Sequence, residues 1–443
     1  MERLLHYIWQ HHIYPLKQLK TTDGVRLEVV NPGLHNEHSG SDFFNAQIRL
    51  GEEMWEGNVE IHTASSDWYK HGHHEDTAYD NVILHVVERA DVEVQTSNGR
   101  KVPQLVLSVP SYIEDQYNEL LREEQHPPCH QIVAEIPRVK LRGWLDALFV
   151  ERLEAKTVRI NNLVERLGGD WEKAMFVTLA RSMGFGVNGD VFEEWSAAFP
   201  LSAASKHRDN LFQLEAMFLG TAGLLQDEML PLVHRREALQ DDYYHMLQSE
   251  YRYLSHKFSL SSIDGSRWRF LRLRPQNFPY IRLSQLVTMF GSNRCSLSSL
   301  MEAATLGQLR EALLSEATDY WQTHYVFGVE SAPSAKSLSQ HSIDTIIINC
   351  VVPMLFAWGT HRESEVHRER ALSLLLEIKA EKNHIISNWA EADLQSENAA
   401  DSQALIQLHT QYCQRKDCLR CVFGMEFFNR TEIYPTLNEP ENE

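Results

Sequence analysis

The sequence has few cysteines and no long uninterrupted apolar run. Six cysteines in 443 residues do not form a disulfide framework, so they predict a reducing, cytoplasmic compartment. The longest apolar run, residues 346–358, is too short to span a bilayer and is interrupted by Pro353. The first residues lack the apolar segment of a secretory signal. The sequence therefore predicts no membrane partner.

Positive charge is scarce as well. The chain carries 42 Lys and Arg against 61 Asp and Glu, a formal net charge of −19. A surface of this charge repels nucleic acid on average, so a nucleic-acid partner would need a local basic patch. The sequence also lacks a glycine-rich phosphate loop and a Gly-x-Ser-x-Gly elbow, and nothing in it supports a nucleotide-binding or esterase function.

Histidine, in contrast, is abundant. The chain has 22 histidines, and 12 of them lie before residue 131. Neutral imidazole binds metals and transfers protons near pH 7. The N-terminal third is therefore where the sequence predicts chemistry.

The periodicity of apolar residues predicts an α+β protein. Up to about residue 110, a helix is followed by short β-like runs. The pattern predicts a hairpin over residues 42–50 and 54–63, which flank a Gly-Glu-Glu turn. It also predicts a buried strand over residues 81–90. Beyond Pro110 the apolar period becomes mostly helical. We predict a mixed α/β domain over residues 1–135, a mainly α-helical domain with the C-terminal cysteines over 136–435, and a disordered acidic tail over 436–443.

Two carboxylates on neighbouring predicted strands form the most suggestive motif. Asp42 begins one strand, and Glu60 and His62 point to the same face of the next. In a hairpin the two carboxylates can converge at one sheet edge, where they would suit Mg²⁺ or Mn²⁺ and activate water against a phosphodiester. Glu37 is a possible third carboxylate. The alternative interpretation is that these acids are simply exposed at hairpin ends.

This order of elements and acids resembles the PD-(D/E)XK nuclease superfamily. The resemblance covers about residues 1–110 and is carried by Gly40-Ser41-Asp42-Phe43, by Asn58-Val59-Glu60-Ile61-His62 and by the strand over residues 82–87. It implies a restriction-endonuclease-like fold with Asp42 and Glu60 as catalytic metal ligands. His62 stands where the superfamily usually has lysine, and its imidazole could orient water or bind the metal.

Over its full length the chain also resembles an uncharacterised bacterial family, a domain of unknown function. The stretches that carry this second resemblance are GSDFFNAQI, GNVEIH, YDNVILHVV and RPQNFP. It implies no activity.

Histidines and acids are concentrated over residues 67–76. His71 and His74 are three residues apart and could share a helix face. A zinc site is one interpretation; a replacement for the missing motif lysine, by Lys70 or a histidine, is another; a solvated loop is the third. His85 lies within an apolar strand and is predicted to be a hydrogen-bonded core residue.

The strongest local metal signal is Cys413-x4-Cys418-x2-Cys421. A Cys-x2-Cys pair places two thiolates within reach of one tetrahedral ion. His409, one helical turn before Cys413, or the distant Cys129 could be the fourth ligand. Zinc and an iron–sulfur cluster are both compatible with this set. The alternative is a group of reduced cysteines without a metal.

A basic stretch with interleaved aromatics covers residues 251–282. It has seven Lys and Arg against one acid, and the arginines of interest are Arg267, Arg269, Arg272, Arg274 and Arg282. Arginine neutralises phosphates and aromatic rings stack on bases, so the stretch is a possible nucleic-acid track. The other interpretation is a basic face that pairs with acidic parts of the same chain.

The functional expectation that follows is a metal-dependent nuclease-like protein that hydrolyses phosphodiester bonds of nucleic acid through Mg²⁺ held by Asp42 and Glu60. One alternative is a nucleic-acid-binding or scaffold protein that keeps the nuclease-like fold without cleavage. Another is a metal-dependent hydrolase of a small substrate. The sequence leaves open DNA versus RNA and the oligomeric state.

Overall fold

The computed structural model describes residues 1–14, 19–36, 40–124 and 127–429. These residues fall into two compact units: one takes in the described residues up to 140 together with those from 409 onward, and the other spans 141–408. The cysteine segment after residue 408 therefore groups with the N-terminal unit, whereas the sequence analysis assigned it to the helical domain. Glu37 and the predicted acidic tail lie outside the described residues.

The N-terminal unit is a mixed sheet with short helices. Its elements, in chain order, are α1 (Glu2–Gln10), β1 (Leu27–Asn31), β2 (Leu34–His35), β3 (Phe43–Leu50), β4 (Glu53–Ala64), α2 (Asp67–Lys70), β5 (Val82–Arg89), β6 (Gln104–Val106) and α3 (Ser111–Arg122). In the described residues the strand order is β1-β3-β4-β5-β6, with β2 paired to β3. The apolar spacing of α1 lets it bury Leu5, Ile8 and Trp9.

Strand β4 is the centre of this sheet and the place where its pairing changes direction. It is antiparallel to β3 and parallel to β5, which is in turn parallel to β6. The predicted hairpin over residues 42–63 and the predicted buried strand β5 are both confirmed. Parallel strands are commonly covered on both faces, and β4, which pairs in parallel with β5, is buried on both faces from Gly57 to His62.

Gly57 allows β4 to come this close to β5. A Cβ added at this position would lie 2.4 Å from Ile83 Cγ2 and 2.6 Å from the Asn81 carbonyl oxygen. Any side chain would push the two strands apart at the point where their parallel pairing begins. The glycine therefore fixes the register that places Glu60 opposite His85.

The second unit is helical around one large apolar core. Its helices are α4 (Arg138–Arg166), α5 (Trp171–Met183), α6 (Gly189–Ala198), α7 (Leu201–Ala204), α8 (Leu211–Thr221), α9 (Arg235–Ala238), α10 (Asp242–Phe258), α11 (Pro279–Ser292), α12 (Leu297–Glu302), α13 (Leu306–Leu313), α14 (Asp319–Gln322), α15 (Gln340–Ile346), α16 (Val352–His361), α17 (Glu365–Glu377), α18 (His384–Glu391) and α19 (Ala399–Gln407). A small hairpin, β7 (His324–Val326) and β8 (Val329–Glu330), interrupts them. The coarse α+β class and the helical C-terminal part are thus confirmed.

One helical stretch of this unit has the length and apolarity of a membrane-crossing helix. It runs from Gln340 to His361 and consists of α15, a π-helical turn and α16. In its most apolar window 67% of the residues are buried inside the unit. Burial of this kind is what a core helix of a large apolar cluster requires, and this stretch contributes Ile346, Val351 and Met354 to that cluster.

The chain ends, within the described residues, in short turns and one helix. A π-helical turn over Leu408–Cys413 leads to a 3-10 turn at Cys418–Arg420 and then to α20 (Val422–Phe428). Helix α20 packs against α3 and against the 3-10 turn His130–Glu135. These contacts are why residues from 409 onward belong to the N-terminal unit.

Candidate metal-dependent active site

Two polar residues of β4 are buried within the sheet. Glu60 is 4% exposed and His62 is 2% exposed, and their two-residue spacing places them on one face of the strand. A buried carboxyl group loses its hydration, so its oxygens need partners inside the protein. The neighbours of Glu60 therefore define the site.

Asp42, just before β3, is the first of these neighbours. Its backbone N–H donates to Glu60 Oε2 over 3.2 Å, and its own Oδ2 accepts a hydrogen bond of 2.8 Å from the Ile61 backbone N–H. His6 of α1 places its Nε2 3.5 Å from the same Oδ2. The structure therefore brings together the two carboxylates that the sequence singled out.

His62 contacts each of the other histidines of a local cluster. Its Nδ1 lies 2.9 Å from His85 Nε2, and its Nε2 lies 3.1 Å from His71 Nδ1. Its Nε2 is also 3.7 Å from Glu60 Oε1. His85, which is fully buried on β5, has the hydrogen bond expected of a core histidine, and that bond orients the His62 ring.

His73 completes the cluster on the other side of Glu60. Its Nε2 is 3.2 Å from Glu60 Oε1, and its ring stacks on that of His62 with 5.3 Å between centroids and 14° between planes. The Tyr79 ring covers the His73 ring at a centroid distance of 3.8 Å. Among the described residues, the buried His73 Nε2 has no well-aligned hydrogen-bond partner.

The short helix α2 and the turn after it position His71 and His73. The His71 N–H donates to the Asp67 carbonyl and the His73 N–H to the Trp68 carbonyl, while Gly72 between them has a φ of +79°. This turn directs His71 and His73 to the sheet. His74 Nε2 instead lies 3.4 Å from Glu75 Oε1. Helix α2 ends at Lys70, so His71 and His74 do not share a helix face as the sequence suggests.

Burial sets the protonation of the site. It raises the pKa of Glu60, an effect that the nearby Asp42 carboxylate reinforces. It lowers the pKa of His62 to about 4, with His73 and His71 adding to the shift, and that of His85 to about 3. Both imidazoles are therefore neutral at pH 7, which is the form that binds a metal.

The donor atoms have the spacing of a metal site. One nitrogen each of His62, His71 and His73 lies within 4.8 Å of the others. Ligands about 2.0–2.2 Å from one ion lie roughly 3.3–3.6 Å apart in a tetrahedral set. The contacts of Glu60 Oε1 with His73 and His62, 3.2 and 3.7 Å, agree with this spacing. Three imidazoles thus fit a divalent transition metal, with Glu60 Oε1 close to two of them, and the His73 nitrogen without an aligned partner would become a ligand.

A family model matches residues 2–384 of the chain, a range that contains all of these site residues. The chain belongs to the family described as "Protein of unknown function (DUF2851)". No curated protein and no solved structure matches it. The family description assigns no activity, so the chemistry of the site has to be argued from its residues.

Outside this site, the arginines of the predicted nucleic-acid track separate into two groups. Arg267, Arg269, Arg272 and Arg274 are exposed, and Arg267 pairs with Glu194. Arg282 is 6% exposed. Its guanidinium bonds Gln285 and Asn277 and stacks on Phe185. Arg282 is therefore an internal structural residue, and its guanidinium is not available on the surface to bind nucleic acid as the sequence predicts.

The four aromatic residues that lie among these arginines are not exposed for stacking, whereas Tyr253, earlier in the stretch, is 58% exposed. Trp268 is buried and donates its indole N–H to the Ala222 carbonyl, and Tyr280 is fully buried against Trp321. Phe270 and Phe278 are partly buried and pack on the core of the helical unit. The alternation of arginine and aromatic residues mainly reflects a segment whose apolar side chains fill that core.

Sequence reasoning does not identify the contacts of His73 and His85. The sequence places His73 only within a His-rich segment and predicts His85 as a core residue without a link to His62. The available signal was the pair His71-x-His73, whose spacing suits a turn around a glycine. The parallel register that places Glu60 beside His85 has no such local signature.

Proposed function

We propose that this protein is a divalent-metal-dependent hydrolase that cleaves phosphodiester bonds of nucleic acid, with its active centre at Glu60, His62, His71, His73 and Asp42. The observation that carries the proposal is the convergence of two carboxylates and three imidazoles around Glu60 and His62 of the buried strand β4. A bound ion there would lower the pKa of a water molecule and stabilise charge on the phosphate.

The residues of the chain have distinct parts in this proposal. Glu60 and the ring nitrogens of His62, His71 and His73 would hold the ion. The Asp42 side chain is 23% exposed, more than that of Glu60, and would orient the attacking water and accept its proton. His6, 3.5 Å from Asp42, would stabilise the Asp42 carboxylate when protonated.

The identity of the ion follows from the donor set. Imidazole nitrogens suit Zn²⁺ better than Mn²⁺ or Mg²⁺. Of the latter two, the transition metal Mn²⁺ accepts imidazole more readily than Mg²⁺, which prefers oxygen ligands and keeps several of its waters. Because His62 replaces the lysine of the nuclease motif, a neutral ligand stands where that superfamily has a fixed positive charge. We therefore expect Mn²⁺ to support turnover better than Mg²⁺.

The choice of nucleic acid as substrate, and of a restriction-endonuclease-like fold, rests on the order of the elements. Helix α1, three antiparallel strands (β1, β3 and β4), the short helix α2 and the parallel strand β5 follow one another as in the PD-(D/E)XK superfamily. Asp42 precedes the second of these strands, and Glu60-Ile61-His62 lies in the third. This arrangement supports the finer fold assignment as part of the proposal.

A second candidate function is hydrolysis of a small substrate. The histidine cluster favours it, since a set of three imidazoles and one carboxylate is not tied to nucleic acid. The overall charge of −19 also disfavours a long polyanion. The two candidates share one active centre and differ only in substrate.

The test is a cleavage assay on the full chain, stripped of metal and reloaded with Mn²⁺, Zn²⁺ or Mg²⁺. Substrates are labelled single-stranded DNA, duplex DNA, RNA and a chromogenic phosphodiester. We expect cleavage of a nucleic acid with Mn²⁺ that Glu60→Gln abolishes. Glu56→Gln, which changes an exposed glutamate four residues earlier on the same strand, is the matched control and should keep full activity.

Each outcome of this assay decides between the candidates. Equal cleavage by the wild type and Glu60→Gln identifies a contaminant and overturns the proposal. Cleavage of the chromogenic diester alone, sensitive to Glu60→Gln, selects the small-substrate hydrolase. Binding of nucleic acid without cleavage under every metal selects a binding or scaffold protein that has lost the chemistry.

A further inference from the structure

Four cysteines of the N-terminal unit lie outside the proposed active centre. Three of them are close in sequence and the fourth is distant. Cys129, Cys413 and Cys421 are 7%, 8% and 5% exposed, and Cys418 is half-buried. Among the described residues, none of the four is in a disulfide. A group of four thiols buried in one place needs a physical reason, because Leu or Val would fill the same space without a reactive group.

Two tight turns present three of these sulfur atoms. After Cys413, the Lys416 N–H donates to the Cys413 carbonyl, and Lys416 has a φ of +53°, which reverses the chain. The 3-10 turn that follows is closed by the Cys421 N–H, which donates to the Cys418 carbonyl over 3.3 Å. A Cys-x2-Cys turn closed in this way holds two thiols on the same side.

Gly424 shows that this turn is held tightly in place. A Cβ at position 424 would lie 2.0 Å from the Cys418 carbonyl oxygen, so only glycine allows α20 to pack against the turn. Leu419, between the two cysteines, is buried. The Cys418–Cys421 turn is thus an ordered part of the unit and not an exposed loop.

Cys129 comes from a distant part of the chain to the same place. It immediately precedes the 3-10 turn His130–Glu135, which packs against α20, the helix that follows Cys421. Cys129 interacts electrostatically with Cys421, Cys413 and Cys418, and the latter three interact with one another. Each of the four thiols therefore lies within electrostatic range of the other three.

We propose that Cys129, Cys413, Cys418 and Cys421 bind one metal centre through four thiolates. Four sulfur ligands suit a tetrahedral Zn²⁺ ion and equally an iron–sulfur cluster, and both share the chemistry of a soft, thiolate-bound centre. We assign Cys129 as the fourth ligand, because it interacts electrostatically with each of the other three. This centre is independent of the proposed hydrolase function.

A metal bound by these cysteines would have a structural role. Its binding free energy would link residues from 409 onward to the sheet-bearing unit, because an unfolded chain rarely holds such a site.

The first experiment is elemental analysis of the full chain, purified without oxygen, in a His71→Ala/His73→Ala background that removes two of the three imidazoles of the proposed active centre. We expect about one zinc per chain in a colourless protein, or iron with acid-labile sulfide in a brown one; either result supports the site and identifies its occupant. Absence of both metals overturns the proposal.

Variants then assign the ligands. Cys129→Ser and Cys418→Ser should each remove most of the metal. The matched control Cys295→Ser, which changes a cysteine of the helical unit, should keep all of it. Loss of metal in His409→Ala, with full retention in Cys129→Ser, overturns the four-cysteine set.

A measurement on the wild-type protein covers the case in which a variant does not fold. The native chain is titrated with a thiol reagent before and after treatment with a strong chelator. If the proposal holds, the four thiols are protected at first and become reactive as metal is released in proportion. Reaction of these thiols at the same rate before and after chelation overturns it.

Discussion

Asp42 and Glu60 hold each other through reciprocal hydrogen bonds that involve the backbone. The Asp42 N–H donates to the Glu60 carboxylate, and the Asp42 carboxylate accepts from the N–H of Ile61, the residue after Glu60. Backbone N–H groups therefore hold Glu60 Oε2 and Asp42 Oδ2. The second oxygen of Glu60, Oε1, lies near His73 and His62. This pairing lets two acids sit side by side in a buried site before any ion is bound.

Replacing Asp42 with asparagine tests its role in chemistry. Asn can still accept from the Ile61 N–H, so the fold should persist, but the side chain can no longer accept a proton. We expect the nuclease rate to fall by roughly 10²-fold or more, as for loss of a general base, with little change in melting temperature. The measurements are the Mn²⁺-dependent cleavage rate and a thermal melt.

Asp42→Ala is the comparison for that variant. It removes the acceptor and leaves the Ile61 N–H unsatisfied, so it should cost about 1–3 kcal/mol of unfolding free energy in addition to activity. If Asp42→Asn cleaves as fast as the wild type, Asp42 has only a structural role.

His85 is predicted to position a metal ligand without touching the metal. Its Nε2 lies 2.9 Å from His62 Nδ1 and would fix the His62 ring so that Nε2 faces the ion. His85→Phe keeps the ring volume in an apolar strand and removes this bond. We expect Mn²⁺ affinity to drop by about 10–100-fold, the usual effect of losing such a partner, as measured by calorimetric titration.

His74→Phe is the matched control for this experiment. His74 lies in the same histidine-rich segment but contacts Glu75 and the Tyr69 ring. Its replacement should leave Mn²⁺ affinity unchanged. Equal loss of affinity in the two variants would show that the segment as a whole, and not the His62–His85 bond, sets the affinity.

Lys156 in α4 gives a pH-dependent prediction for the helical unit. Its ammonium donates to Asn349 and Gln403, and burial, with help from Arg152, lowers its pKa to about 7. Between that value and the ordinary lysine value of about 10.4, the unfolded chain binds the proton more tightly. The unfolding free energy contributed by this residue therefore rises as the pH increases through that window.

Lys156→Met isolates this contribution. The difference in unfolding free energy, wild type minus variant, should increase from pH 7 to pH 10, with a slope of up to about 1.4 kcal/mol per pH unit. Urea denaturation at four pH values measures it. A difference that stays constant over this range would mean that water solvates the Lys156 ammonium.

Local sequence patterns predicted most of the secondary structure near the site. The hairpin of β3 and β4 was predictable because alternating apolar residues flank a Gly-Glu-Glu turn, and β5 because its apolar run is nearly continuous. The i, i+2 spacing of Glu60 and His62 already placed both on one face. The same reasoning failed for Arg282, because its place in a basic stretch gives no indication that a helix buries its guanidinium.

The grouping of the cysteines shows the same limit in a different way. The spacing of Cys413, Cys418 and Cys421 marks them as neighbours, since turns of a few residues bring them together. Whether Cys129 or His409 joins them depends on which surface α20 packs against, and no local pattern encodes that contact.

The sequence by itself determined the residue types and local spacings of the candidate centre: the acids at 42 and 60, the histidine two residues after Glu60, and the histidine-rich turn that follows. Only the tertiary structure decided which of the histidines meet. Strand register and turn geometry place His71, His73 and His85 around His62 and leave His74 outside. The physical reason is that parallel pairing of β4 with β5 is a long-range contact, set by the burial of both strands and by the close approach at Gly57.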